Sequence, residues 1–209
     1  MDDVVSITLL RHGLTKANQE KRYIGWTDAS LLEEATQVGL YRILDAPFDA
    51  IYSSDLKRCT QTAKLIAPLQ RPIEDHRLRE MNFGLWEGKT YEDLKNHRHF
   101  QKWIDNPFDT IPPDGEAFLN FESRVMECWH EILTECIQQK YRNLLLVSHG
   151  GPIRLLLTSL SPTKKEWWEW EVKHFSGYRL TWEHHQLLKG GNRCISSWVE
   201  PFTVKEIGS

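Results

Sequence analysis

The sequence has no apolar run long enough to cross a bilayer, and its longest, such as Leu144 to Val147, end after a few residues. The opening Met1-Asp2-Asp3 carries the wrong charge for the n-region of a signal peptide. Cysteine is scarce: Cys59, Cys128, Cys136 and Cys194 form no CxxC pair, and no Asn-x-Ser/Thr acceptor exists. These absences predict free, mostly buried thiols in a reducing compartment, and hence a cytoplasmic protein. The formal net charge of −3 gives no general attraction to nucleic acid or to an anionic membrane, so neither is an expected partner. Any anion site must be built locally, by a few converging basic residues. Two phosphate motifs are incomplete. Cys136 and Arg142 fit a C-x5-R spacing, but the residues between them include no glycine and continue an amphipathic pattern. Gly84 to Thr90 resembles a P-loop but is one residue short between its glycines.

What is present is the composition of an ordinary globular chain, 40% hydrophobic and 26% charged, read as a single domain over residues 1–209. Nine tryptophans are many for this length, and Trp167, Trp168 and Trp170 crowd one segment, which suits core packing and a hydrophobic wall. Val4 to Leu10 reads as a buried strand ending at Arg11-His12-Gly13. Leu31 to Leu44 reads as a helix weakened by Gly39. Ala50 to Tyr52 reads as a strand that leads into a helix from Leu56 to Ala67, capped by Ser54 or Asp55. Thr90-Tyr91-Glu92-Asp93 forms a capping box that opens a helix to about Lys102, and Pro107, Pro112 and Pro113 mark a loop. Helical spacing then predicts one long amphipathic helix near 116–139. Asn143 to Val147 is a strand that turns through Ser148-His149-Gly150-Gly151 into a helix ending near Leu160. Tyr178 to Trp182, Gln186 to Lys189 and Arg193 to Trp198 alternate like antiparallel strands, with a hairpin turn at Gly190-Gly191. The predicted fold is α/β, a mainly parallel sheet with helices on both faces and a helical cap inserted around residues 81–121. Ligands bind such sheets at the carboxyl ends of strands, where both His12 and His149 fall.

Phosphoryl transfer through nitrogen needs a neutral imidazole facing phosphorus, with its other nitrogen fixed by an acceptor. It also needs cationic or hydrogen-bonding groups on the non-bridging oxygens, and a carboxylic acid for the leaving oxygen. The sequence offers these parts at loop ends: Arg11 and His12, Arg58 early in a helix, His149, and Glu80 with Glu87 as its competitor. Guanidinium groups suit the task because they bind two oxygens at once and keep their charge.

Arg11-His12-Gly13-Leu14-Thr15-Lys16-Ala17-Asn18 resembles the RHGxTxxN signature of the histidine phosphatase superfamily, also called phosphoglycerate-mutase-like. Gly25-Trp26-Thr27-Asp28, the stretch from Ser53 to Ala63, the segment from Leu78 to Gly88, and Ser148-His149-Gly150-Gly151 resemble its later motifs, in family order over residues 7–155. The resemblance implies His12 as nucleophile, Glu80 as proton donor and then base, and Arg11, Arg58 and His149 as the phosphate clamp. It implies substrate contacts from Asn18, from the Ile24-Gly25 backbone and from Gly150, with Thr15 holding the loop. The sequence departs from the family pattern at Ser30 to Ala35, at Asp114-Gly115-Glu116-Ala117, and at His174-Phe175-Ser176, where an Asn-containing segment is usual.

Known mutases of this type carry an adjacent arginine pair, and this chain has none. The expected activity is therefore hydrolysis of small phosphate monoesters, in a metal-independent, cofactor-free phosphatase resembling broad-specificity and α-ribazole-phosphate phosphatases. A cofactor-dependent phosphoglycerate mutase is the alternative, and an inactive phospholigand-binding module a more distant one. His97, His99, His184 and His185 lack metal-ligand spacing and read as surface residues. Trp103, Phe108 and Phe118, faced by Trp26, are the expected pocket walls for a partly apolar or nucleoside-like alcohol. Oligomeric state leaves no mark on the sequence.

Overall fold

A computed structural model describes residues 4–37, 41–42, 47–183, 196–203 and 205–206. In chain order the elements are β1 (Val4–Arg11), α1 (Lys16–Gln19), α2 (Glu33–Gln37), β2 (Tyr41–Arg42), β3 (Ala50–Ser53), α3 (Lys57–Ile66) and β4 (Ile73–Glu74). They continue as α4 (Tyr91–Leu94), α5 (Arg98–Asp105), α6 (Phe118–Gln139), β5 (Asn143–Ser148), α7 (Gly150–Leu160), β6 (Ser176–Glu183), β7 (Ser196–Thr203) and β8 (Lys205–Glu206). The main sheet runs β4-β3-β5-β1-β6-β7, parallel from β4 to β1, with β6 and β7 added antiparallel.

The central strands are mostly apolar because both faces of the sheet are covered, with Thr8 of β1 and Ser148 of β5 buried among them. Val5, Ile7 and Leu9 of β1, with Ala50, Tyr52, Leu144 and Leu146, pack against α6 and α7. The alternate residues Leu10, Ile51, Leu145 and Val147 pack against Cys59 and Ala63 of α3. Each such buried branched side chain contributes about 1.5–3 kcal/mol relative to exposure. On α6 the helical repeat buries Phe121, Val125, Trp129, Ile132 and Cys136 as expected, while Phe118 is only partly buried.

Register explains where chemistry can collect. Arg11 of β1 lies opposite Ser148 of β5, and the His12 N–H donates to the Ser148 carbonyl at 3.0 Å. The Ser54 N–H donates to the Val147 carbonyl at 3.0 Å, which brings the end of β3 to the same edge. The loops carrying His12, Arg58 and His149 therefore leave one edge of the sheet side by side. Within the stretch 81–121 where a cap is expected, α4 and α5 gather around a small core of Trp86, Leu94 and Phe100.

Several local expectations need correction. Thr90 and Asp93 do form a reciprocal capping box, but α4 ends at Leu94 and α5 begins at Arg98. His97 is extended between them, because Leu94 and Phe100 enter the same small core from two directions. α3 is capped by neither Ser54 nor Asp55: its Lys57 N–H donates to Asp28 at 2.8 Å, while Asp55 pairs with Arg79. Of the helix expected over Leu31 to Leu44, the described residues form α2, and Tyr41–Arg42 instead pairs antiparallel with Lys205–Glu206. That pairing joins distant segments and leaves no trace in local periodicity. Gln186 to Lys189, the Gly190-Gly191 turn, residues 193–195 of the expected last strand, His184, His185 and Cys194 lie outside the described residues. Cys59, Cys128 and Cys136 are free and buried.

Candidate active site

His12 is 3% exposed, and its Nδ1 lies 2.6 Å from the Gly13 carbonyl. A carbonyl only accepts, so Nδ1 carries the proton and Nε2 keeps its lone pair. The loop is held by α3: the Gly13 N–H donates to Thr62 Oγ1 at 3.0 Å, and that hydroxyl donates to the Arg58 carbonyl at 2.6 Å. Gly13 has no room for a side chain, because a Cβ there would meet the Phe175 ring at 2.3 Å.

Arg58 is fully buried and spreads its guanidinium over three acceptors. Nε donates to His149 Nδ1 at 3.2 Å, Nη2 to the Gly25 carbonyl at 2.6 Å and Nη1 to the Thr27 carbonyl at 2.8 Å. Because His149 Nδ1 accepts, the His149 proton resides on Nε2, which lies 3.4 Å from the buried Cys59 Sγ. The His12 and His149 rings meet edge to face with centroids 5.1 Å apart. Arg11 donates through Nη1 to the Val172 carbonyl at 2.6 Å, while its buried Nε has no partner. Its guanidinium carbon lies 3.6 Å, an ordinary contact distance, from where a Cβ on Gly150 would sit, so Arg11 packs against the first turn of α7.

Glu80 is the carboxylate of this group. Its Oε2 accepts the Gly151 N–H at 3.0 Å and its Oε1 accepts the Met81 N–H at 2.9 Å. Glu87 has a different place. It accepts the backbone N–H groups of Trp26 at 2.7 Å and Thr27 at 2.6 Å, pinning the loop whose carbonyls receive Arg58. The structure thus brings Arg11, His12, Arg58, Glu80 and His149 together and leaves Glu87 as a loop anchor.

Burial shapes the electrostatics. Desolvation first, and then the charges of Arg58 and Arg11, hold the His12 imidazole well below its ordinary pKa. Burial followed by Arg58 does the same to His149. The guanidiniums of Arg11 and Arg58 are themselves lowered by burial, with Glu80 opposing the shift in both. Two desolvated cations and two neutral imidazoles around one carboxylate favour an incoming anion.

The expected substrate contacts have distinct settings. Asn18 gives its Oδ1 to the Thr15 hydroxyl at 2.9 Å and lines a polar cavity of about 250 Å³ with Arg11, so it serves both loop and cavity. Ile24 is buried, and Gly25 offers its carbonyl to Arg58. A second, larger cavity of about 320 Å³ opens beside Glu80 and Gly151, walled by Trp103, Phe108, Phe118, Phe121 and Trp167. Trp26 does not face it. Trp26 donates its Nε1–H to the Glu80 carbonyl at 3.0 Å, and the Arg79 guanidinium lies 5.0 Å from its ring centroid. Trp170 is core and Trp168 is exposed, so the tryptophan cluster divides among three roles.

Sequence reasoning missed three residues at this site. Arg154 of α7 lines the aromatic cavity and donates to the Trp170 carbonyl at 3.1 Å. Arg124 of α6 donates to the carbonyls of Arg77 at 2.7 Å, Arg79 at 2.8 Å and Glu80 at 2.9 Å, fixing the segment that carries Glu80. His174 lies against His12, with ring centroids 5.1 Å apart. Its only signal was the departure from an Asn-containing segment.

The geometry has counterparts among known proteins. The model of the histidine phosphatase superfamily (branch 1) matches residues 7–189. The chain is 34% identical over 170 residues to the adenosylcobalamin/alpha-ribazole phosphatase of Escherichia coli K12, covering 76% of this chain and 81% of that protein. It is 32% identical over 168 residues to a broad-specificity phosphatase of Saccharomyces cerevisiae, covering 75% of this chain and 70% of that protein. The solved alpha-ribazole phosphatase of Shigella flexneri superposes with a TM-score of 0.71 at 30% identity, covering 85% of this chain and 89% of that one.

Proposed function

The chain belongs to the histidine phosphatase superfamily, and we propose that it is a small-molecule phosphatase working through a phosphohistidine on His12. The observation that carries this reading is the His12 ring itself. Its Nδ1–H is held by the Gly13 carbonyl at 2.6 Å, and burial between two arginines keeps Nε2 unprotonated. Nε2 attacks phosphorus as the bond to the leaving oxygen breaks in line with it. Arg11, Arg58 and the Nε2–H of His149 take up charge on the non-bridging oxygens, where one such donor is worth roughly 3 kcal/mol. Glu80, as the acid, protonates the departing alkoxide. As carboxylate it then takes a proton from water, whose oxygen attacks phosphorus and breaks the P–N bond. Inorganic phosphate leaves, and His12 is again neutral.

The leaving group has one obvious berth. The aromatic cavity begins at Glu80, the group that protonates the leaving oxygen, so the alcohol extends between Trp103, Phe108 and Trp167. This supports a ring-bearing or otherwise apolar alcohol, a class that includes the α-ribazole phosphate in the relatives' names. A panel of phosphomonoesters assayed without added metal tests the reading. Aryl and nucleoside-like esters should exceed glycerol phosphate in kcat/KM, by about tenfold or more if one or two apolar contacts are gained. A clear preference for phosphopeptides would overturn the substrate class.

A further inference from the structure

The segment 172–175 is bound to the Arg11–Gly13 loop at four points. Arg11 Nη1 donates to the Val172 carbonyl at 2.6 Å, and the Phe175 N–H reaches the His12 carbonyl at 3.5 Å. The Phe175 ring, set by a backbone φ of +50°, covers Gly13. Between these, His174 Nδ1 lies 3.1 Å from the same His12 carbonyl. That acceptor fixes the His174 proton on Nδ1 and leaves Nε2 as an acceptor. The side chain lines the polar cavity of about 250 Å³ that Arg11 and Asn18 also line.

The charged side chains that line this cavity are cationic, Arg22 among them being paired with Glu20. Arg11 approaches from β1 and Arg58 from α3, while Lys21, Arg22 and Tyr23 follow α1 and Tyr91 belongs to α4. His12 adds a neutral imidazole, and no carboxylate lines the cavity. Burial, with Arg11 as the next cause, pushes His174 down to about 4 when the cavity holds no anion. A dianion between Arg11 and Asn18 reverses that field, since an opposite charge at contact distance favours the protonated ring.

We propose that His174 is a phosphate ligand in its own right, binding a non-bridging oxygen through Nε2 in a contact that carries one proton taken up from solvent. This rests on the reading that the Arg11–His12 loop binds a phosphoryl group, and it adds a pH-linked contact to that site. The proton can arrive on the imidazole or on the oxygen, and the balance is the same: anion binding consumes one proton. The Asn-containing segment usual at this place in the family cannot supply it, because an amide does not titrate.

Inorganic sulfate is the probe, because it keeps both charges across the accessible pH range and forms no bond to His12. Its binding is measured in Glu80→Gln, which removes the carboxylate able to take up a proton beside the anion, and in Glu80→Gln/His174→Asn. His12 and His149 are common to both, so the difference between the two profiles belongs to His174. In the single variant the affinity should fall as pH rises, by up to about tenfold per pH unit. The double variant should bind sulfate with a flatter profile. Equal slopes in both, or no slope in Glu80→Gln, would overturn the assignment. Should His174→Asn not fold, His174→Gln takes its place, and calorimetry of Glu80→Gln in two buffers of different ionisation enthalpy counts the protons directly. No uptake there overturns the proposal. A failure of the phosphohistidine mechanism would leave these sulfate measurements unchanged, so the two readings fail separately.

Discussion

The carboxylate of Glu80 accepts the backbone N–H of Gly151 at 3.0 Å, in the first turn of the helix whose N-cap is His149. Glu80, the proposed proton donor, and His149 are thereby fixed to the same rigid element, which also suits a negative charge at its N-terminus. A methyl group on Gly151 would lie 2.1 Å from Glu80 Oε1. Gly151→Ala should therefore push the carboxylate aside at modest cost to the fold, since the severe clash is with the end of a flexible side chain and the Phe121 ring, met at 3.2 Å, needs to give by only a few tenths of an ångström. The expected outcome is a melting temperature within a few degrees of the parent and a kcat lower by about one to two orders of magnitude. An unchanged kcat would show that the Glu80 position does not matter.

The two glutamates of the acid segment separate by substrate. Glu80→Gln should lower kcat for alkyl phosphates by about two to four orders of magnitude. It should do much less to p-nitrophenyl phosphate, whose leaving group departs without protonation. Glu87→Gln loosens the Trp26–Thr27 loop that receives Arg58, so it should act mainly by raising KM for both substrates. Steady-state kinetics on the two ester types distinguishes them, and a leaving-group effect at Glu87 instead would reverse the assignment.

His12 should remain neutral well into acid. Burial and the two arginines depress its pKa from 6.5, so the proposed nucleophile keeps its lone pair below the usual imidazole range. The imidazole nitrogen resonances absent in His12→Ala should show no titration between about pH 7.5 and about pH 5.5, whereas a midpoint near the ordinary value would contradict the site's electrostatics. The same shift has a folding consequence. The unfolded imidazoles bind protons below about pH 6.5 that buried His12, His149 and His174 refuse, so stability is full above that pH and declines below it.

Asp55 and Arg79 form a two-pronged pair, with Nε to Oδ1 at 2.7 Å and Nη2 to Oδ2 at 2.5 Å. The Arg79 hydrogen bond holds the Asp55 carboxyl below its ordinary 3.8. A lowered carboxylate stabilises the fold above its unfolded pKa, and the benefit disappears as pH falls through the folded value. Asp55→Asn should cost about 0.5–1 kcal/mol near neutrality, because the pair is partly exposed, and nothing measurable once both forms are protonated in strong acid. Urea titrations at the two pH values test this, and a constant difference would contradict it.

Much of this site was legible in the chain because its parts sit where local signals are strong. Arg11, His12 and His149 each follow an apolar strand, and Arg58 lies in the first turns of a helix. Parallel register alone then brings those ends together. Arg124, Arg154 and His174 left no comparable mark. They reach the site from the middle of α6, from inside α7 and from the turn before β6, so only packing reveals that they converge. Trp26 was expected to face the pocket walls, yet its indole N–H donates to the Glu80 carbonyl and its ring lies against Arg79. The helix expected through Leu44 failed for the same kind of reason. A two-residue strand that pairs across more than half the chain is invisible to periodicity.

The central claim is that phosphorus passes through His12, and direct trapping tests it. Substrate labelled with radioactive phosphorus is quenched during turnover in alkali, in which phosphohistidine survives, and the protein is then mapped. The expected result is an acid-labile label on the peptide carrying His12. It should persist longer in Glu80→Gln, where water attacks slowly, and be absent in His12→Ala. Turnover with no label on any histidine, or an undiminished rate in His12→Ala, would contradict the account.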